Sequence, residues 1–195
     1  MKISLVLLAA GNSRRFGGNK LLENIDGTPM YLHIVNEVEM QGEALFCQKI
    51  IVTQYEKIAS AMEKRGYIVV KNPHSELGIS SSVKLGLARA ESGAFTEGAG
   101  RAVCFAVCDQ PYLKGNTVRL FLKEWEKSGK GMGCVSFQGK LGNPAVFSEK
   151  YFKELRRLEG DKGGKKVISM YPEDVYIYET EDRRELEDID IRRNL

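Results

Sequence analysis

Hydrophobic positions along the chain fall in blocks whose period switches repeatedly between that of a strand and that of a helix. Lys2 to Ala9 (KISLVLLA) is an almost unbroken run of Ile, Leu and Val, the pattern of a central strand covered on both faces. Pro29 then opens a helical stretch to about Gly42, in which Leu32, Val35 and Val38 recur at roughly helical spacing and the proline falls in the first turn, where its missing N–H is harmless. Cys47 to Thr53 reads as the second strand, Tyr55 to Arg65 as a helix closed by Gly66, and Tyr67 to Val70 as a short third strand bounded by Asn72 and Pro73. Ser80 to Glu91 is the next helix, and Arg101 to Val107 another buried strand, which must stop by Pro111. Asn116 to Lys127 is amphipathic and helical, Gly133 to Phe137 a strand, and Pro144 to Phe147 an edge or return strand beside it. Glu149 to Leu158 and Lys165 to Met170 read as helices flanking the turn Gly160 to Gly164, and Val175 to Tyr178 as the last strand.

Strand and helix alternate, which predicts an α/β fold: an open, mostly parallel sheet with helices on both faces, three layers in all. Ligands in such sheets bind at the carboxyl ends of the strands, so the loops after Ala9, Thr53, Val70 and Val107 are where chemistry is expected. Composition adds limits. With 195 residues, 43% hydrophobic and 28% charged, the chain suits one domain over 1–195 with a conventional core, not a disordered or fibrous protein. The longest apolar run, Ile3 to Ala10, is far short of the roughly 20 residues that cross a bilayer, and no signal peptide is expected. Cys47, Cys104, Cys108 and Cys134 form no CxxC pair, so they are expected to be reduced core thiols of a cytoplasmic protein. A net charge of +3, with both signs interspersed, gives no reason to expect a nucleic-acid or membrane partner.

The uneven place is the loop after the first strand, Ala10-Gly11-Asn12-Ser13-Arg14-Arg15-Phe16-Gly17-Gly18-Asn19-Lys20. It has three cations and no acid. Glycines let backbone amides approach phosphate oxygens, and Arg14 and Lys20 supply charge, so the loop suits a small polyanion. It is neither a GxGxxG fingerprint nor a P-loop, since Leu21 follows Lys20 where Ser or Thr would hold magnesium. Without its cations it would equally suit a solvated surface turn. Asp109, in Cys108-Asp109-Gln110-Pro111, stands where a buried strand ends and could offer a hard oxygen to Mg²⁺; taken alone it reads rather as a turn or N-cap residue.

In order along the chain, LAAGNSRRFGGNK, ELGISSSVKLGLARA, CDQPYL, GNPAVF, GDKGGKK and EDIDI together resemble the molybdenum cofactor cytidylyltransferases, a branch of the wider group that contains the molybdopterin guanylyltransferases. The resemblance spans nearly the whole chain and implies a Rossmann-like nucleotidyltransferase fold. It implies Mg²⁺-dependent transfer of CMP from CTP to the terminal phosphate of molybdopterin, with release of pyrophosphate. On that resemblance Leu8, Ala9, Ala10, Gly11, Arg14 and Lys20 bind the triphosphate, and Asp109 and Asp190 hold the metal. Asn72, Ser80, Ser81 and Ser82 lie near the nucleobase and ribose, and Asn143 and Asp161 lie on the acceptor side. The serines, read without it, simply begin a helix, and the GNP and GD steps could be turns.

Three alternatives share these residues. Guanylyl transfer from GTP to the same cofactor is the nearest; Ala10, where guanylyltransferases tend to have glycine, favours cytidine. A sugar- or polyol-phosphate nucleotidyltransferase would use the same loop and aspartate. A non-catalytic molybdenum cofactor carrier serving a molybdenum hydroxylase client would have no need of a triphosphate loop.

Overall fold

The computed structural model describes residues 1–11, 19–42, 45–93 and 100–189. Seven strands form one sheet: β1 (Lys2–Ala9), β4 (Gln48–Thr53), β5 (Ile68–Lys71), β6 (Arg101–Val107), β7 (Met132–Phe137), β8 (Lys140–Ser148) and β9 (Val175–Glu179), in the order β5-β4-β1-β6-β8-β7-β9. All neighbours are parallel except β8, which runs antiparallel to both β6 and β7. Two-residue strands β2 (Asn24–Ile25) and β3 (Thr28–Pro29) make a separate ribbon.

Alternation along β1 shows why helices must cover both faces. Leu5 and Leu7 point into one core with α1 (Met30–Glu39), α2 (Glu56–Lys64) and α4 (Gly115–Ser128), where Met30, Ile34, Met62, Phe121 and Trp125 are fully or almost fully buried. Val6 points into the other, with α3 (Ile79–Glu91), α5 (Phe152–Arg156) and α6 (Gly164–Met170), among Val83, Leu87, Leu155 and Val167. The three-layer α/β architecture expected from the sequence is therefore the one observed.

One expectation is narrowed and one corrected. The segment expected as an edge or return strand, Pro144 to Phe147, is a return strand: it belongs to nine-residue β8, antiparallel to β7, in the interior of the sheet. A proline is accommodated there because the β6 ladder ends with Phe105 opposite Ala145, and the β7 ladder shifts register between Cys134 and Ser136. The turn Gln138-Gly139 joining β7 to β8 has positive φ at both residues, 49° and 76°, the backbone a two-residue hairpin requires. Of the cysteines expected in the core, Cys104, Cys108 and Cys134 are buried but Cys47 is exposed, one residue before β4 begins. Burial pushes the Cys104 thiol up to about 12 and the Cys134 thiol to about 11, so neither is a thiolate at neutral pH. No helix among the described residues is long and apolar enough to cross a membrane.

Candidate active site

From β1 the chain moves outward through β4 to β5, then returns to place β6 on the other side of β1, with Leu8 opposite Val107 at the carboxyl ends. That reversal opens a cleft of about 350 Å³. Its walls come from three sources: Leu8, Ala10, Gly11, Lys20 and Leu21 around the first loop, Ser75, Glu76, Gly78, Ile79 and Ser82 before and within α3, and Val107 and Asp109 at the end of β6. Asp161 closes it from the α5–α6 turn.

The start of the glycine loop is held through its carbonyls. Thr53 Oγ1 donates to the Ala9 carbonyl at 3.0 Å, Gln54 Nε2 to Ala10 at 2.8 Å, and the Tyr55 hydroxyl to Gly11 at 2.6 Å. The loop expected after Thr53 thus braces the site and contributes no wall. At the far end of the glycine loop, Lys20 to Leu22 form a 3-10 turn whose Leu21 N–H is capped by Asn19 Oδ1 at 3.1 Å. Leu21, 3% exposed, anchors that turn in the core.

Lys20 and Asp109 meet across the cleft. Lys20 Nζ donates to Asp109 Oδ2 at 2.7 Å; the lysine side chain is 10% exposed and the carboxylate 25%. Asp109 is placed by the sheet itself: Cys108 N–H bonds the Leu8 carbonyl at 3.1 Å, extending the parallel ladder one residue past β6, and Asp109 is the first residue released from it. Its carbonyl accepts from Ile189 N–H at 3.0 Å, while Gln110 Nε2 donates to the Leu186 carbonyl at 3.3 Å and to Asp188 Oδ1 at 2.7 Å. Arg14 and Asp190 lie outside the described residues.

The polar cluster before α3 separates the residues expected near the nucleobase. Asn72, 1% exposed, donates to Ser81 Oγ at 2.9 Å and Ser82 Oγ at 2.8 Å, and its own Oδ1 accepts from His74 N–H. Ser81 Oγ donates to the Gly78 carbonyl, and Ser80, 2% exposed, gives its N–H to the Gly160 carbonyl. Of these four, Ser82 alone lines the cleft; the others tie the start of α3 to its neighbours. Ala9, 1% exposed, likewise lies beneath the wall. Ser75, Glu76 and Gly78 lie in the loop after Val70, one of those where chemistry is expected, and Ile79 opens α3; none was singled out, because a loop carries no periodic signal.

Asn143 and Asp161 line a second pocket of about 340 Å³ that shares Leu8, Ile79 and Asp161 with the cleft. Its floor is apolar (Val83, Phe105, Ala145, Phe147), and Lys162, Lys165 and Lys166 stand at its rim. An anion carried on a flat, partly apolar body suits those walls.

Among the described residues no group of three or more His, Cys, Asp or Glu side chains could hold a metal by themselves. Magnesium keeps several waters and binds one or two carboxylates plus substrate phosphates in preference to a complete protein cage. Asp109, a hard donor on a rigid element, fits it.

A mostly parallel sheet with Gly11, Lys20 and Asp109 gathered at its switch point is the arrangement of a Rossmann-like nucleotide-binding protein. The chain belongs to the MobA-like NTP transferase domain family, whose model matches residues 5–175. It is 26% identical over 162 residues to a "Probable molybdenum cofactor guanylyltransferase" of Pyrococcus horikoshii, covering 83% of this chain and 76% of that one. It is 28% identical to "Purine catabolism protein PucB" of Bacillus subtilis, covering 95% and 90%. Among solved structures it resembles "A nucleotidyl transferase" from Methanothermobacter thermautotroptrophicus, with TM-score 0.77 and 22% identity over 97% and 92% of the two chains.

Proposed function

We propose that this protein transfers a nucleoside monophosphate from a nucleoside triphosphate to the terminal phosphate of molybdopterin, releasing pyrophosphate, in a magnesium-dependent reaction. The observation that carries the reading is the Lys20–Asp109 pair across a cleft that adjoins a basic-rimmed pocket through Asp161. GTP is the donor favoured by the guanylyltransferase named as a relative. CTP is the second reading, and it rests on Ala10.

In this mechanism the triphosphate lies on the loop from Ala10 to Lys20, and the acceptor occupies the second pocket with its phosphate toward Asp161. An acceptor phosphate oxygen attacks the α-phosphorus in line. The new P–O bond forms as the bond to the β-phosphate's bridging oxygen breaks, and pyrophosphate departs with that electron pair. Lys20, with Arg14 and the loop amides, stabilises the charge gathering on the leaving group. Asp109 and Asp190 would hold the magnesium ion, which would supply neutralisation of phosphate charge. No general base is needed, since the attacking phosphate is already anionic. His33, bonded to the Ile25 and Thr28 carbonyls, and exposed His74 have no part in it.

The test is to incubate the protein with Mg²⁺, molybdopterin and each of the four ribonucleoside triphosphates separately and to measure pyrophosphate. Turnover with GTP supports guanylyl transfer; turnover with CTP alone selects the second reading. Pyrophosphate released only with a sugar or polyol phosphate as acceptor would remove molybdopterin. Tight molybdopterin binding without turnover would make the protein a carrier.

A further inference from the structure

We infer that Lys20 is a latch on the metal site: in the nucleotide-free protein its ammonium holds the Asp109 carboxylate, and an incoming triphosphate must draw it away before a divalent cation can bind there. The inference rests on the proposed nucleotidyl transfer and adds to it an order of events, nucleotide with or before metal.

Three observations support it. The first is position: Lys20 Nζ lies 2.7 Å from Asp109 Oδ2, where a cation bound by that oxygen would meet it. A divalent ion placed beside this ammonium would suffer like-charge repulsion that the mostly enclosed setting screens weakly, with the lysine 10% and the aspartate 25% exposed. The second is anchorage. The backbone of Lys20 is fixed by the 3-10 turn, by the Asn19 cap and by buried Leu21, and Glu23 N–H bonds the Lys20 carbonyl at 3.2 Å. Release of Asp109 therefore has to come from the side chain, and lysine's flexible four-carbon stem allows that without moving the turn. The third is destination: Lys20 lines the same cleft as Ala10 and Gly11, so triphosphate oxygens held on that loop offer the ammonium an alternative anionic partner. Once it turns to them, Asp109 is left facing the phosphates as an unpaired oxygen donor, the ligand set that magnesium accepts.

The consequence is measurable without turnover. Mn²⁺ would be titrated by electron paramagnetic resonance into the wild type and into Lys20→Met, Lys20→Gln, Lys20→Arg and Asp109→Asn, all without nucleotide. The latch predicts that Lys20→Met and Lys20→Gln bind Mn²⁺ at least ~10-fold more tightly than the wild type. Lys20→Arg, which keeps the charge, stays near the wild type, and Asp109→Asn loses the site. Equal or weaker Mn²⁺ binding in both neutral variants, with folding verified by circular dichroism, overturns the inference. Binding of a fluorescent nucleoside triphosphate, measured on the same proteins, keeps the two claims apart. Tightened Mn²⁺ binding with no nucleotide binding by any protein overturns the transferase reading and with it the release by triphosphate, leaving Lys20 only as a block on the metal site. Nucleotide binding with no tightening overturns the latch alone.

Discussion

Asp109 stands one residue beyond the last sheet-type hydrogen bond of its strand, and that offset gives its carboxylate to the cleft while its backbone stays fixed. Asp109→Asn and Lys20→Ala should each lower the rate of pyrophosphate release at least ~10²-fold, the scale on which single groups stabilising transition-state charge act. Near-normal turnover in Asp109→Asn would remove it as a metal ligand. Lys20 is legible in sequence as a cation in a glycine-rich loop, whereas Asp109, which alone reads as a turn or N-cap residue, is singled out by the resemblance. Gln54, Tyr55 and Gln110 are not legible: they donate to backbone carbonyls 44 residues away for the first two and 76 for the third, and no local pattern records such pairings. A separate carboxylate gives the fold a pH signature. Hydrogen bonds from Lys150 and the Tyr151 hydroxyl, and from Gly131 N–H, hold Asp174 down to about 2. A lowered carboxylate stabilises the fold above its unfolded-state pKa, and that contribution is lost as pH falls through the folded value. Wild-type melting temperature should therefore fall between about pH 4 and 2. Asp174→Asn should be less stable at neutral pH and show a shallower decline over that window, measured by thermal melts across a buffer series.

Helix α3 illustrates how one element serves both packing and site. Its residue Gly86 faces the sheet so closely that a Cβ there would sit 2.4 Å from Val6 Cγ1 and 3.2 Å from Val52 Cγ2. At its start Gly78, with φ +87°, leaves no space for a side chain against Gly160 and Asp161. These two glycines set how near the helix bearing Ser82 lies to β1 and to the α5–α6 turn. Gly86→Ala should destabilise the protein by about 1–3 kcal/mol through overpacking, seen as an earlier urea midpoint, and should raise the KM for the nucleotide as Ser82 is lifted with the helix. An unchanged urea midpoint would show that Val6 yields without cost. The existence and order of α3, and of every main strand, could be read from hydrophobic period because each buries a regular face against the sheet. For strand β8 the sequence left an edge and a return position both open, for an equally physical reason. Pro144 signals an edge only when its neighbours' ladders are regular, and the register shift opposite it comes from β7, not from the proline's own sequence. The ribbon β2–β3 was not anticipated, since two residues per strand are too few to show a period.

Across the whole molecule, the segment after β9 connects the edge of the sheet to the cleft that bears Asp109. Thr180 N–H bonds Ser136, and its hydroxyl donates to Glu185 Oε1 at 2.9 Å; Glu185, 3% exposed, also accepts from Lys114 N–H at 3.2 Å. Leu186 then packs where Gly142 leaves room for it, a Cβ there meeting Leu186 Cδ2 at 2.8 Å, which gives the glycine of the GNP step a structural reason the sequence did not disclose. The strap ends on the loop bearing Asp109, through Gln110 and through Ile189 N–H on the Asp109 carbonyl. Its near and far ends can be tested separately. Gln110→Leu removes both side-chain bonds beside Asp109, leaving the Leu186 carbonyl and Asp188 without this donor, and should cost about 1–3 kcal/mol. Because misplacement of a reacting group by about 1 Å can reduce rate ~10²-fold, it should also lower kcat by at least ~10-fold with the nucleotide KM little changed. Thr180→Val breaks the strap at its far end, so it should lower the melting temperature by a similar amount while kcat stays within about twofold of the wild type. The comparison that decides is kcat at matched stability. If the two variants lose rate in proportion to their loss in melting temperature, the strap only holds the fold together. A rate loss confined to Gln110→Leu means that the chain reaches back from its edge strand to aim Asp109.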